Sequence, residues 1–105
     1  MVVGAVYVVK IFGEDGSFTE CIGECKRNGV ITDFRDGLEF EIMPQDEVKP
    51  YWLQVGDRFI HADDGVMVVV VEFKMQVVRF CVDVVYASGT RGTFSISEQF
   101  CRSIT

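Results

Sequence analysis

Residues 66–86, VMVVVVEFKMQVVRFCVDVVY, constrain the fold more than any other part of the sequence. Val and aromatic residues crowd this stretch, and neither Gly nor Pro breaks it. Glu72, Lys74, Arg79 and Asp83 interrupt it too often for a membrane span. The pattern predicts two long strands. In the second, Val78, Phe80, Val82, Val84 and Tyr86 alternate with Arg79, Cys81, Asp83 and Val85, the period of a half-buried strand. The first is apolar on both faces, with Val66, Val68 and Val70 on one and Met67, Val69, Val71 and Phe73 on the other. Such a strand is expected at the centre of a sheet, covered from above and below.

Turn signals on either side extend this β reading to almost the whole chain. Residues 2–12 read as an apolar strand, residues 13–17 (GEDGS) as a turn, and residues 18–26 as the returning strand, with Gly23 a candidate bulge. Asn28-Gly29 between β-prone runs is the strongest hairpin signal, and Asp36-Gly37 repeats the device before Leu38, Phe40 and Ile42 alternate with Glu39 and Glu41. The first half is thus a meander of about four strands. Pro44 and Pro50 bracket a stretch read as a linker or long loop, residues 44–50. Beyond it come a short strand near Arg58–Ile60, a turn at residues 62–65, the central pair with a connection at Lys74-Met75, and a Gly turn at residues 88–92. A last short strand at residues 93–96 precedes a capping box, Ser95-x-x-Glu98, that predicts one helical turn through Phe100 and Cys101.

The run LQVGDRFIHADDGVMVVVVEF, followed by a second strand, a Gly turn, an FSIS-type strand and a terminal helical turn, resembles the small SH3-like β-barrels of phage and mobile-element accessory proteins. The likeness covers roughly the last half of the chain and rests on a V-G-D-R-F strand entry before a hairpin. It implies a barrel that serves as a protein-binding or nucleic-acid-binding module. The expected fold is all-β: an antiparallel meander plus a small SH3-like barrel, with one short C-terminal helical turn. Residues 1–105 form one compact domain, with sub-units at 1–43 and 51–105 separated by the 44–50 loop.

Charge narrows the choice of partner. The net charge is −6, and the acidic excess falls mostly within the first half. An acidic chain is a poor match for a phosphate backbone, which is bound by clustered Lys and Arg. Asp33, Asp36, Glu39, Glu41, Asp46 and Glu47 crowd a short stretch offset only by Arg35. Such an array can imitate nucleic-acid phosphates toward a nucleic-acid-binding protein, or it can be the wet face of an antiparallel sheet. Tyr51, Trp52 and Arg58 follow closely and are residue types that anchor interfaces or stack bases.

Little points to catalysis. His61 is the single histidine, and no P-loop, G-x-S-x-G, H-E-x-x-H or dinucleotide fingerprint occurs. Cys21, Cys25, Cys81 and Cys101 lack the CxxC knuckles of structural zinc sites and read as free thiols. The N-terminus has no basic region or cleavage site of an export signal, so a cytoplasmic home is expected. The leading expectation is a non-enzymatic protein-interaction module without cofactor or metal, a phage-type inhibitor or adaptor that blocks a partner through an acidic face. Its contacts would be Asp33, Asp36, Glu39, Glu41, Asp46, Glu47, Tyr51, Trp52 and Arg58. Two alternatives are a nucleic-acid-binding small barrel using Tyr51, Trp52, Arg58, Arg79 and Arg91, and a structural homo-oligomer sealed by the apolar central strand. No membrane partner is expected.

Overall fold

The first hairpin shows how local chemistry sets the registers. A computed structural model describes residues 1–61, 65–76, 79–95 and 101–103 of the chain. β1 (Val6–Phe12) and β2 (Phe18–Arg27) pair antiparallel, from Phe12 opposite Phe18 at the turn to Val6 opposite Glu24. Asp15 ties the turn between them by accepting the Ser17 N–H at 3.0 Å. The strand signal begins at residue 2, but β1 starts only at Val6, after a turn at Gly4. β3 (Val30–Asp33) follows the two-residue Asn28-Gly29 loop, where Gly29 takes the positive φ of 83° that a tight hairpin needs. β4 (Glu39–Glu41) then pairs with β3.

The bulge expected at Gly23 lies instead at Lys26, between Cys25 and Arg27. Gly23 sits in regular ladder opposite Tyr7 and Asp33, and its reason is close packing: a β-carbon there would overlap the Ile31 side chain and the Thr32 carbonyl. One face of the sheet buries Tyr7, Val9, Cys21, Cys25 and Ile31, with Ile11, Phe40 and Val48 packed around them.

Residues 44–50 are not one long loop. The Asp46 carboxylate accepts the N–H groups of Met43 (2.9 Å) and Phe12 (3.4 Å), and β5 (Glu47–Pro50) then lies beside β1 with Val48 opposite Val9. An edge strand needs hydrogen bonds along one side only, so Pro50 is tolerated there, and the apolar Val48 faces the core.

The second sheet is centred on the long hairpin. β6 (Arg58–His61), β7 (Met67–Gln76), β8 (Arg79–Tyr86), β9 (Arg91–Ser95) and β10 (Cys101–Ser103) lie in the order β10-β6-β7-β8-β9. β7 is the middle strand, as its composition predicts, and it runs through Lys74 and Met75 rather than turning there. Its two faces differ, contrary to expectation. Val70 pairs with Val84 and Glu72 with Asp83, so Val71 is an extra residue that shifts the alternation. Phe73 therefore joins Val68 and Val70 on the buried face with Phe59, Val82 and Val84, while Met67 and Glu72 are exposed.

The expected C-terminal helical turn meets a strand at Cys101, which pairs with His61 in β10. The 62–65 turn, apart from Gly65, and the capping-box residue Glu98 lie outside the described residues. No ladder joins β4 to β5 or β9 to β10 among the described residues, so both sheets are open, and the second is not the closed barrel expected of the C-terminal half. Closure needs edge strands long enough to wrap onto each other, and β4, β5 and β10 are only three or four residues long.

The chain divides into two compact units, Met1–Trp52 and Leu53–Thr105. The two share one connectivity. In each, four strands meander and the fifth returns beside the first, and in each the bulge falls in the second strand.

Candidate functional site: the outer sheet faces

The acidic cluster of the sequence is dispersed by the fold. Asp33 is buried at 9% exposure, where it accepts the Arg35 N–H at 2.8 Å and holds the Arg35 guanidinium at 3.6 Å. Asp36 accepts the Leu38 N–H at 3.0 Å, and Asp46 anchors the turn before β5. These three aspartates build turns, which is the ordinary use of Asp beside a bend. Glu39 and Glu41 are exposed on β4, and Glu47 is exposed on β5. β4 and β5 are opposite edges of the sheet, four strand spacings or roughly 19 Å apart.

The register shows what shares the outer face of that sheet. Glu20, Glu24, Glu39, Glu41 and Glu47 occupy it together with Lys10, Arg27 and Lys49. Arg27 reaches Glu39 at 3.6 Å, and Lys10 lies 4.9 Å from the centre of the Phe18 ring. Val8, Lys10, Glu20, Glu47 and Lys49 line a shallow hollow. Among the described residues, no ion pair engages Glu20, Glu41 or Glu47.

Tyr51 and Trp52 close the first unit, both half-buried, with their rings 5.7 Å apart. The Tyr51 N–H is held by the Val6 carbonyl at 3.0 Å. Arg58 belongs to the second unit, where it opens β6 and is exposed.

The outer face of the second sheet carries a different pattern. Arg58, Val69, Val85 and Arg91 form one row across β6, β7, β8 and β9, and Ile60 and Met67 are partners in the next row. Ile60 is 37% and Met67 45% exposed, and Val69 and Val85 are half-buried. The register also assigns Lys74 to this set of rows. Among the described residues, Arg58, Lys74 and Arg91 thus share one side of the sheet with the acids Glu72 and Asp83. Asp83 is committed locally: it accepts the Thr93 hydroxyl at 2.6 Å and pairs with Lys74 at 3.0 Å, and these two contacts, the hydroxyl first, hold its pKa below the usual value. Among the described residues, no ion pair engages Arg58 or Arg91.

Ile60, Met67, Val69 and Val85 are the surface residues that the strand pattern misses, because an apolar second face on β7 reads as burial. The half of the signal available in the sequence is the alternation of Arg79, Asp83 and Val85 in β8.

Cys21, Cys25 and Cys81 are free thiols, all buried. Burial, and then the Asp33 carboxylate, push Cys21 up to about 11. The Cys25 thiol donates to the Arg27 carbonyl at 3.2 Å. Among the described residues, no three His, Cys, Asp or Glu side chains gather as a metal site, and no helix is long and apolar enough to cross a membrane. No protein-family model matches the chain, and no curated protein or solved structure shows significant similarity to it.

Proposed function

We propose that the chain is a non-enzymatic protein-interaction module, an adaptor or inhibitor of the kind phages carry, that acts by occupying a partner's surface. One observation carries this reading: the outer face of the second sheet combines exposed Ile60 and Met67 with a row of Arg58, Val69, Val85 and Arg91. Apolar residues, Met and Arg with few competing acids are the composition of interface centres. The acidic surface of the first unit takes a secondary place, since Asp33, Asp36 and Asp46 are engaged in turns. SH3-like character is part of the same proposal and rests on connectivity, a four-strand meander whose fifth strand returns beside the first.

A nucleic-acid-binding reading draws on the same face, because Arg58, Lys74 and Arg91 share it. Two features weigh against it: Lys74 is taken by Asp83, and among the described residues the rows of that face carry Val, Ile, Met, Thr and Ser but no ring on which a base would stack.

The test is affinity purification of the tagged chain, with protein and nucleic acid both assayed in the eluate. A stoichiometric protein retained by the original chain and by Glu39→Lys/Glu41→Lys, yet lost from Ile60→Glu/Met67→Lys, is the expected result. Retention that ignores Ile60 and Met67 sinks this surface. Nucleic acid that washes off with salt favours the second reading.

A further inference from the structure

We infer that the chain is two copies of one five-stranded module, each locked by the same clasp between the turn that opens its first strand and the bulge of its second. Shared strand order alone is weak ground, because few orders are open to short meanders. The backbone bonding is the stronger ground.

In the first unit, the Ala5 N–H donates to the Val2 carbonyl at 3.1 Å and closes a turn whose third residue, Gly4, has a φ of 87°. The Gly4 N–H donates to the Cys25 carbonyl and the Cys25 N–H to the Ala5 carbonyl, both at 2.9 Å, directly before the bulge at Lys26. In the second unit, the Asp57 N–H donates to the Gln54 carbonyl at 3.1 Å, and Gly56 has a φ of 92°. The Gly56 N–H donates to the Val70 carbonyl and the Val70 N–H to the Asp57 carbonyl, again at 2.9 Å and directly before the bulge at Val71. Both turns read Val-Gly-x-x-aromatic, from Val3 to Tyr7 and from Val55 to Phe59. A bulged strand has one residue too many for its partner, and an attachment beside the bulge fixes which residue that is. A slip of one place would turn the buried Phe73 to the outer face.

The copies differ in how they cap the clasp. The Val2 N–H donates to the Tyr7 hydroxyl at 2.8 Å, whereas the Gln54 N–H donates to the Asp57 carboxylate at 2.8 Å. Phe59 stands in the place of Tyr7, and Ala5 in the place of Asp57, so each copy lacks the other's cap. The outer faces differ too. Val8 with Ile22 matches Ile60 with Met67, but Val6 and Glu39 stand where the second unit has Arg58 and Arg91. The clasp is the common frame, and the charges around it distinguish the copies.

The experiment is amide hydrogen exchange by NMR on the full chain. Cys25 and Val70 are expected to be protected alike, by about a hundredfold or more. Tyr7→Phe should speed exchange at Gly4 and Cys25 by about fivefold. Adding Ala5→Asp puts the second unit's cap in the first unit, and should return both amides to within about twofold of the original. Gly4→Val should free Cys25, and Gly56→Val should free Val70, by about tenfold, because positive φ strains a β-branched residue. Asn tolerates that conformation and should stay within about threefold at either glycine. A β-carbon at Gly4 or Gly56 meets nothing within 4 Å, so these effects read backbone conformation alone. Tyr7→Phe without effect, or a loss that Ala5→Asp does not restore, overturns the equivalence. So does a Val70 amide indifferent to Gly56→Val.

Discussion

The side chain of Ile31 fills the space that a β-carbon on Gly23 would occupy, so two neighbouring strands approach at a point where only glycine fits. The Thr32 carbonyl presses on the same spot, and backbone cannot swing away as a side-chain tip can. Gly23→Ala should therefore destabilise the first unit by about 2 to 3 kcal/mol, measured by urea denaturation. A neutral result would mean that β2 and β3 separate more easily than their ladder implies.

The bulge at Val71 predicts an asymmetry between two neighbours on β7. Phe73 is buried and stacked with Phe80, ring centres 5.7 Å apart, whereas Val69 is half-buried on the outer face. Phe73→Ala should cost about 3 to 4 kcal/mol and Val69→Ala about 1 kcal/mol or less. Without the extra residue the two would share a face and their costs would converge.

Cys21 makes the alkaline limb of the stability curve informative. Its thiol keeps its proton in the folded chain up to about 11, while the unfolded chain gives it up near 9.0. Between those values the unfolded state binds fewer protons, so stability falls as pH rises, by roughly 2 to 3 kcal/mol in total. Cys21→Ala removes this slope, which is read by comparing denaturation of the two proteins across that window. In the native protein the same thiol reacts slowly with alkylating agents, because burial withholds both access and thiolate.

Asp83 acts on the opposite limb. Its carboxyl pKa lies below the ordinary 3.8, held down by the Thr93 hydroxyl and by Lys74. That stabilisation is complete above the unfolded value and is lost as pH falls through the folded one. Asp83→Asn should flatten the acid limb and cost about 0.5 to 1 kcal/mol near neutrality. An acid limb unchanged by the substitution would show that Asp83 is solvated in both states.

These residues also mark what can be read from a sequence. Alternation located β8 and the Asn28-Gly29 hairpin because period and turn chemistry are local properties. The bulges at Lys26 and Val71 were illegible, since an inserted residue leaves the composition of a strand unchanged while moving everything after it to the other face. β5 was hidden for a related reason: two prolines signal a loop, and only the position at a sheet edge makes them harmless. The acidic run misled in another way. Neighbours in sequence became turn-builders at Asp33, Asp36 and Asp46 and edge residues at Glu41 and Glu47, whereas Arg58 and Arg91, far apart in sequence, share one row.

The return of each fifth strand to the first has a consequence for synthesis. β1 gains its second neighbour only when Val48 and its flanking residues arrive, so one side of β1 stays unsatisfied until the first half of the chain has been made. The second unit repeats the delay, with β6 waiting for Cys101 to Ser103. A ribosome that stalls shortly before either point leaves an open strand edge, the surface from which aggregation starts.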